Sequence, residues 1–247
     1  MIRMLVSVRD VAEARVAAEG GADFIDLKEP REGALGGLPV AMIAAIARTL
    51  RALREHGEKC PPISATIGDL PMSDRGEILA RVEAVAACGV DYVKVGIERT
   101  ADARAVLDAL AASGASIIPV FIADRGLDFQ QVAHAATLRF PGLMVDTADK
   151  LAGSLFELIP DAELRRFIEI TRSAGAMVGL AGALRHAQLP ALRALGPDFA
   201  GFRSAVCAGD RSGELDPARL HALAAALSTP STASGKGSKS GEATRLA

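Results

Sequence analysis

The sequence predicts an α/β protein, a single closed (β/α)8 barrel of the TIM type over residues 1–228. Three observations carry that expectation. Eight short apolar runs alternate with eight longer segments of helical period. The apolar runs are nearly continuous in hydrophobicity, as strands buried on both faces must be. The units are evenly spaced, with no long excursion where strand order would reverse, so the parallel sheet closes instead of staying open. At 247 residues the chain also has the length that eight βα units need.

The strands are expected at 4–8 (MLVSV), 22–28 (ADFIDLK), 62–68 (PISATIG), 91–96 (DYVKVG), 116–123 (SIIPVFIA), 142–147 (GLMVDT), 177–182 (MVGLAG) and 199–204 (FAGFRS). Apolar residues recur at three- and four-residue intervals over 10–19, 39–56, 73–88, 101–112, 128–138, 161–174, 184–195 and 216–227, which predicts the helices. The runs GGAD, CGVD and LGPDF recur just before strands and read as one repeated junction, with glycine ending each helix. Residues 229–247, rich in Ser, Thr, Gly and Lys, lack the apolar surface to order themselves and read as a disordered tail.

Composition excludes several classes. A net charge of −2, no Trp and one Tyr argue against a nucleic-acid footprint, which needs a basic face or stacking aromatics. No GxGxxG follows the first strand, so a dinucleotide cofactor has no support. Cys60, Cys88 and Cys207 are odd in number and widely spaced, which predicts free thiols in a reducing cytoplasm. His56, His134, His186 and His221 show no ligand spacing, so no metal and no cofactor are expected. The amino terminus reaches charge too early for a signal peptide, and no apolar run is long enough to cross a bilayer. The expected partner is a small-molecule substrate, not a nucleic acid or a membrane. A homo-oligomer is the expected assembly.

In a barrel of this kind the chemistry sits at the carboxyl ends of the strands. Polar residues ending the apolar runs are therefore the candidates: Asp26 and Lys28, Thr66 and Asp69, Lys94, Asp146 with Lys150 beyond it, Gly182, and Arg203 with Ser204. Lysine usage narrows the set. The chain has six Lys against 22 Arg, and three of the six are Lys28, Lys94 and Lys150. A lysine can shed its proton when desolvated and attack a carbonyl, whereas a guanidinium stays charged. Alternation along DYVKVG puts Tyr92, Lys94 and Gly96 on one face, expected to be the barrel interior. Asp26 shares a face with Lys28, and Asp146 and Lys150 form a second carboxylate–amine set. Structural ion pairs remain an alternative reading of both sets. Gly182 with Ala183, and Arg203 with Ser204, follow strands 7 and 8, where barrels commonly bind phosphate through backbone N–H groups. Arg203 is expected to add a bidentate contact. Cys207 reads as a buried small residue, and His186 as an outer-helix residue.

These residues carry a specific resemblance. The stretches LVSVRDVAEA, GGADFIDLKEPREGALG, SATIGDLP, DYVKVG, DTADKLAGSLFE, GLAGAL and GFRSAVC resemble the (5-formylfuran-3-yl)methyl phosphate synthase family of methanofuran biosynthesis, from residue 4 to about 211. The resemblance implies condensation of two molecules of glyceraldehyde 3-phosphate into 4-(hydroxymethyl)-2-furancarboxaldehyde phosphate, with loss of phosphate and water. It implies Lys28 as Schiff-base lysine, Lys94 as proton acceptor, and supporting roles for Asp26, Asp146 and Lys150. It also implies a carbon–oxygen lyase of one-carbon metabolism. Two other readings compete: a different class I aldolase or triose-phosphate isomerase, and a non-catalytic barrel that binds sugar phosphates.

Overall fold

The structure is a computed structural model that describes residues 1–33, 35–55, 57, 60–149 and 152–229. Eight strands close a parallel barrel in sequence order, β1 pairing with β2 on one side and β8 on the other. They are β1 (Arg3–Val8), β2 (Phe24–Leu27), β3 (Ile63–Thr66), β4 (Tyr92–Ile97), β5 (Ile117–Ile122), β6 (Gly142–Asp146), β7 (Met177–Leu180) and β8 (Phe199–Phe202). The connecting helices are α1 (Val11–Glu19), α2 (Val40–Glu55), α3 (Arg75–Ala86), α4 (Ala103–Ala112), α5 (Phe129–Thr137), α6 (Leu155–Leu158), α7 (Asp161–Ser173), α8 (Leu189–Leu195) and α9 (Pro217–Ser228). Residues 230–247, expected as a tail, lie outside the described residues apart from Thr229 at its start.

Two separate apolar clusters follow from strand alternation. Leu5, Phe24, Ile118, Val120, Met144 and Phe199 pack together inside the barrel. Their strand neighbours, such as Val6, Ile25 and Val145, pack outward against Ile43, Ile46 and Leu50 of α2, Val106 and Leu110 of α4, and Phe167 of α7. The helix positions recur at three and four residues, so each helix lays one buried stripe on the sheet. Asp10, Asp74, Asp128 and Asp216 each accept a backbone N–H two or three residues on, which starts α1, α3, α5 and α9.

The repeated glycine–aspartate junctions close the amino-terminal face. Gly21, Gly89 and Gly196 all adopt positive φ, and the aspartate two residues on reaches across to the preceding strand. Asp23 accepts the Met4 N–H at 2.9 Å, Asp91 that of Ile63 at 2.7 Å, and Asp198 that of Val178 at 2.8 Å. Each carboxylate thereby satisfies a strand-end donor that the ladder leaves over.

Two elements depart from expectation. The segment 184–195 begins as a 3₁₀ turn at His186–Gln188, and α8 starts only at Leu189, with Pro190 in its first turn. Proline there has no N–H to lose and fixes φ for the helix. The short helix α6 was not anticipated, although Ser154 and Glu157 carry the capping-box spacing and the Ser154 N–H donates to Glu157 at 2.6 Å.

Candidate active site

Strand register assembles the polar centre. Ser7, Asp26 and Ser64 lie side by side on β1, β2 and β3, and Thr66 aligns with Lys94 on β4. Asp26 is fully buried and Lys94 is 1% exposed. Lys94 Nζ donates to Asp26 Oδ2 at 2.9 Å, and Ser64 Oγ donates to Oδ1 at 2.6 Å. Ser7 Oγ stands 3.5 Å from Oδ2, at the limit of a hydrogen bond. A carboxylate removed from water is tolerable only with such partners, so the ammonium and the hydroxyl account for its burial.

Lys28 follows β2, its backbone N–H bonded to Val8 O at 3.0 Å. Its Nζ lies 3.8 Å from Asp146 Oδ2 at the end of β6. Asp146 Oδ1 accepts the Thr147 N–H at 2.8 Å. Both groups are buried. Asp26 pairs with Lys94 in place of the expected Lys28, and Lys28 stands instead beside Asp146. The Lys94 pair is a direct hydrogen bond, while Lys28 and Asp146 meet in an ion-pair contact at 3.8 Å. Lys150 lies outside the described residues.

One cavity of about 30 Å³ is lined by Lys28, Lys94, Asp26 and Asp146 together with Gly182, Ala183, Arg203 and Ser204. The lysines therefore face a single internal slot and not opposite sides of the molecule. Gly182 has φ +121°, and a Cβ there would stand 3.0 Å from Thr147 Oγ1, so the turn after β7 requires glycine. Ala183 follows with φ +48°. The N–H groups of Gly182, Ala183 and Ser204 carry no protein acceptor among the described residues, which leaves them available to an anion. Leu35 from the β2–α2 loop joins the apolar cluster inside the barrel and packs beside Gly96, where a Cβ would be 2.8 Å from Leu35 Cδ1. Thr66 Oγ1 fastens that loop through Gly36 O at 2.9 Å.

Arg203 departs from its expected role. It is buried, and its five donors go to Glu13 Oε1 and Oε2, Ser7 O, Arg211 O and Gly213 O. Burial alone would lower its pKa, and the bonded Glu13 carboxylate more than offsets that, holding it above the ordinary value. A guanidinium so committed has no donor left for a phosphate. It fixes the β8–α9 loop to β1 and so positions Ser204 and Arg211. Cys207 is fully buried, as expected, and burial pushes its thiol pKa up. His186 sits exposed in the 3₁₀ turn, not on an outer helix. Sequence reasoning missed Ser7, Ser64, Glu13 and Arg211. Among the described residues, no group of three or more His, Cys, Asp or Glu is placed to hold a metal, and no helix is long and apolar enough to cross a membrane.

The family model for 4-HFC-P synthase matches residues 4–224, a span that holds every one of these side chains. The chain belongs to the 4-HFC-P synthase family. The (5-formylfuran-3-yl)methyl phosphate synthase of Methanopyrus kandleri is 36% identical over 225 residues, covering 85% of this chain and 92% of that one. The Archaeoglobus fulgidus enzyme of the same name is 35% identical over 227 residues, covering 85% and 93%. A Methylorubrum extorquens relative is 38% identical over 221 residues, covering 88% of each chain. Among solved structures, phosphoribosyl anthranilate isomerase from Thermus thermophilus superposes with a TM-score of 0.60 at 17% identity, over 92% of this chain and 98% of that one. At that identity the likeness shows the barrel alone. As a member of a 4-HFC-P synthase family, the chain is an enzyme acting on small molecules.

Proposed function

We propose that this enzyme condenses two molecules of glyceraldehyde 3-phosphate into (5-formylfuran-3-yl)methyl phosphate through an imine on Lys28. The observation that carries the mechanism is the pair of buried lysines in one slot, each beside its own carboxylate at 2.9 and 3.8 Å. Lys28, just past the end of β2 and lining the slot, takes the nucleophile's role. Attack of its neutral amine on the aldehyde carbon and loss of water give the imine, an electron sink for the adjoining carbon. Lys94 first passes a proton along its hydrogen bond to Asp26, and the neutral amine so formed removes the proton on that carbon, so the transfer stays inside a buried pair. The enamine then forms the carbon–carbon bond to the second triose. Atom balance requires loss of one phosphate and two waters in all, with no oxidant or reductant, as befits a carbon–oxygen lyase. Asp146 orients Lys28, and Lys150 is assigned to the same set from the sequence alone.

The N–H groups of Gly182, Ala183 and Ser204 hold the phosphate of the imine-bound triose, a role favoured by the positive φ values at 182 and 183. Three free cysteines suit a reducing cytoplasm. The test is incubation with glyceraldehyde 3-phosphate alone, followed by product identification and phosphate assay. One inorganic phosphate per furan is expected. Phosphate release without a furan, or an isomerised triose as the sole product, refutes the reading.

A further inference from the structure

The slot at the lysines, about 30 Å³, is lined by Lys28 and by the Gly182, Ala183 and Ser204 donors that take the first triose's phosphate in the reading above, and it has no room for a second triose phosphate. Directly beside it lies a second cavity of about 350 Å³, and Ser204 and Arg211 line both. Its other charged walls are Arg185, Arg219, His186 and Asp210. Arg185 is exposed, and the charge within its reach is the Glu157 carboxylate, which already accepts the Ser154 N–H. Arg211 is half-buried, with one long contact of 3.4 Å to Gly33 O. Arg219 donates to Cys207 O at 3.0 Å and lies 3.4 Å from Asp216. The groove's one carboxylate, Asp210, is already bonded to the N–H and Oγ of Ser212. The recess itself is lined by three guanidiniums and one occupied carboxylate and adjoins the slot, with Asp216 beside Arg219 and Glu157 near Arg185 outside the lining. Arginine forks suit phosphate oxygens, and two of these three have most of their donors uncommitted.

The condensation proposed above brings two phosphate dianions to one pair of lysines. The backbone donors at Gly182, Ala183 and Ser204 can serve one. We propose that the groove of Arg185, Arg211 and Arg219 is the phosphate subsite of the second triose phosphate, with Arg211 on the seam between the two substrates. This assignment rests on the synthase reading. It separates two binding events: the first triose reaches Lys28 without the groove, and the second requires it.

The test measures both events in Arg211→Ala, Arg211→Lys and Arg185→Ala, with the outer-surface variant Arg165→Ala as charge control. Borohydride-trapped Lys28 adduct reports the first triose, and furan formation against glyceraldehyde 3-phosphate concentration reports the second. Losing a charge-assisted phosphate contact raises the apparent KM for condensation by at least about tenfold in the Ala variants, with partial recovery in Arg211→Lys. Adduct yield stays at the wild-type level, inorganic phosphate inhibits both Ala variants less than wild type, and Arg165→Ala changes nothing. An unchanged KM in both Arg185→Ala and Arg211→Ala overturns the subsite, as does a parallel loss of adduct, which would place the arginines on the first triose. A wild-type protein that forms neither adduct nor furan defeats the underlying reading itself, and that outcome is visible before any variant is compared.

Discussion

Replacing Lys94 with Met tests how tightly the buried pair is coupled. Methionine keeps most of the side-chain volume and removes the charge, leaving Asp26 fully buried with Ser64 at 2.6 Å as its one short partner. Breaking a buried pair by deleting one member costs about 3–5 kcal/mol. The surviving Ser64 bond puts the expected cost of Lys94→Met near the lower end, about 3 kcal/mol. Asp26→Asn, which orphans the buried ammonium, should cost about as much. The double variant has no unpaired charge left, so it should lose about 3 kcal/mol and not the sum of about 6, a coupling of about 3 kcal/mol. Urea denaturation followed by circular dichroism reads this directly. At an m-value of about 3 kcal/mol/M, each single change lowers the midpoint by about 1 M. All three variants should lose furan formation. If the two single effects add within about 0.5 kcal/mol, the groups do not share a hydrogen bond and the proton relay is wrong.

Three further outcomes follow from the geometry. Glu13→Ala leaves the buried Arg203 guanidinium without its carboxylate and should cost about 3–5 kcal/mol by the same assay; a cost under about 1 kcal/mol would mean that Glu13 does not hold it. Asp198→Ala removes the acceptor of the Val178 N–H at the amino-terminal face, so about 1.5–3 kcal/mol should be lost with kcat and KM unaltered. The Ser154 N–H, donating to Glu157 at 2.6 Å, holds the Glu157 carboxyl below its usual range. A group whose pKa falls on folding adds stability above its unfolded pKa and loses it as pH drops through the folded value. Glu157→Gln should therefore be less stable than wild type at neutral pH, and the gap should close in acid; a gap independent of pH would contradict the assignment.

The barrel was legible because its physics is local. Strands buried on both faces write unbroken apolar runs, and helices that cover them write one stripe every three or four residues. Lys28, Lys94, Asp26 and Asp146 were legible for the same reason, since a charge at the end of such a run has no structural need to be there. Their pairing was not. Closure of the sheet decides which carboxylate meets which amine, and it joined Asp26 to Lys94 across β2, β3 and β4. Arg203 was misjudged on the same ground. Its partner Glu13 is 190 residues away in sequence, and only the meeting of β8 with β1 brings the two together. Ser7 and Ser64 carried a readable signal, a hydroxyl in the inward register of an apolar strand. Arg211 carried none, because it sits in the irregular loop after β8 and its place over the slot depends on the whole Arg203 bracket.

Catalysis by this barrel begins, in the proposed mechanism, with attack of the Lys28 amine on a triose-phosphate aldehyde. Incubation with glyceraldehyde 3-phosphate and borohydride, followed by peptide mass mapping, examines that bond itself. A reduced adduct on Lys28 that persists in Lys94→Met and vanishes in Lys28→Ala is the expected result. An adduct confined to other lysines, or none while the furan still accumulates, would contradict it.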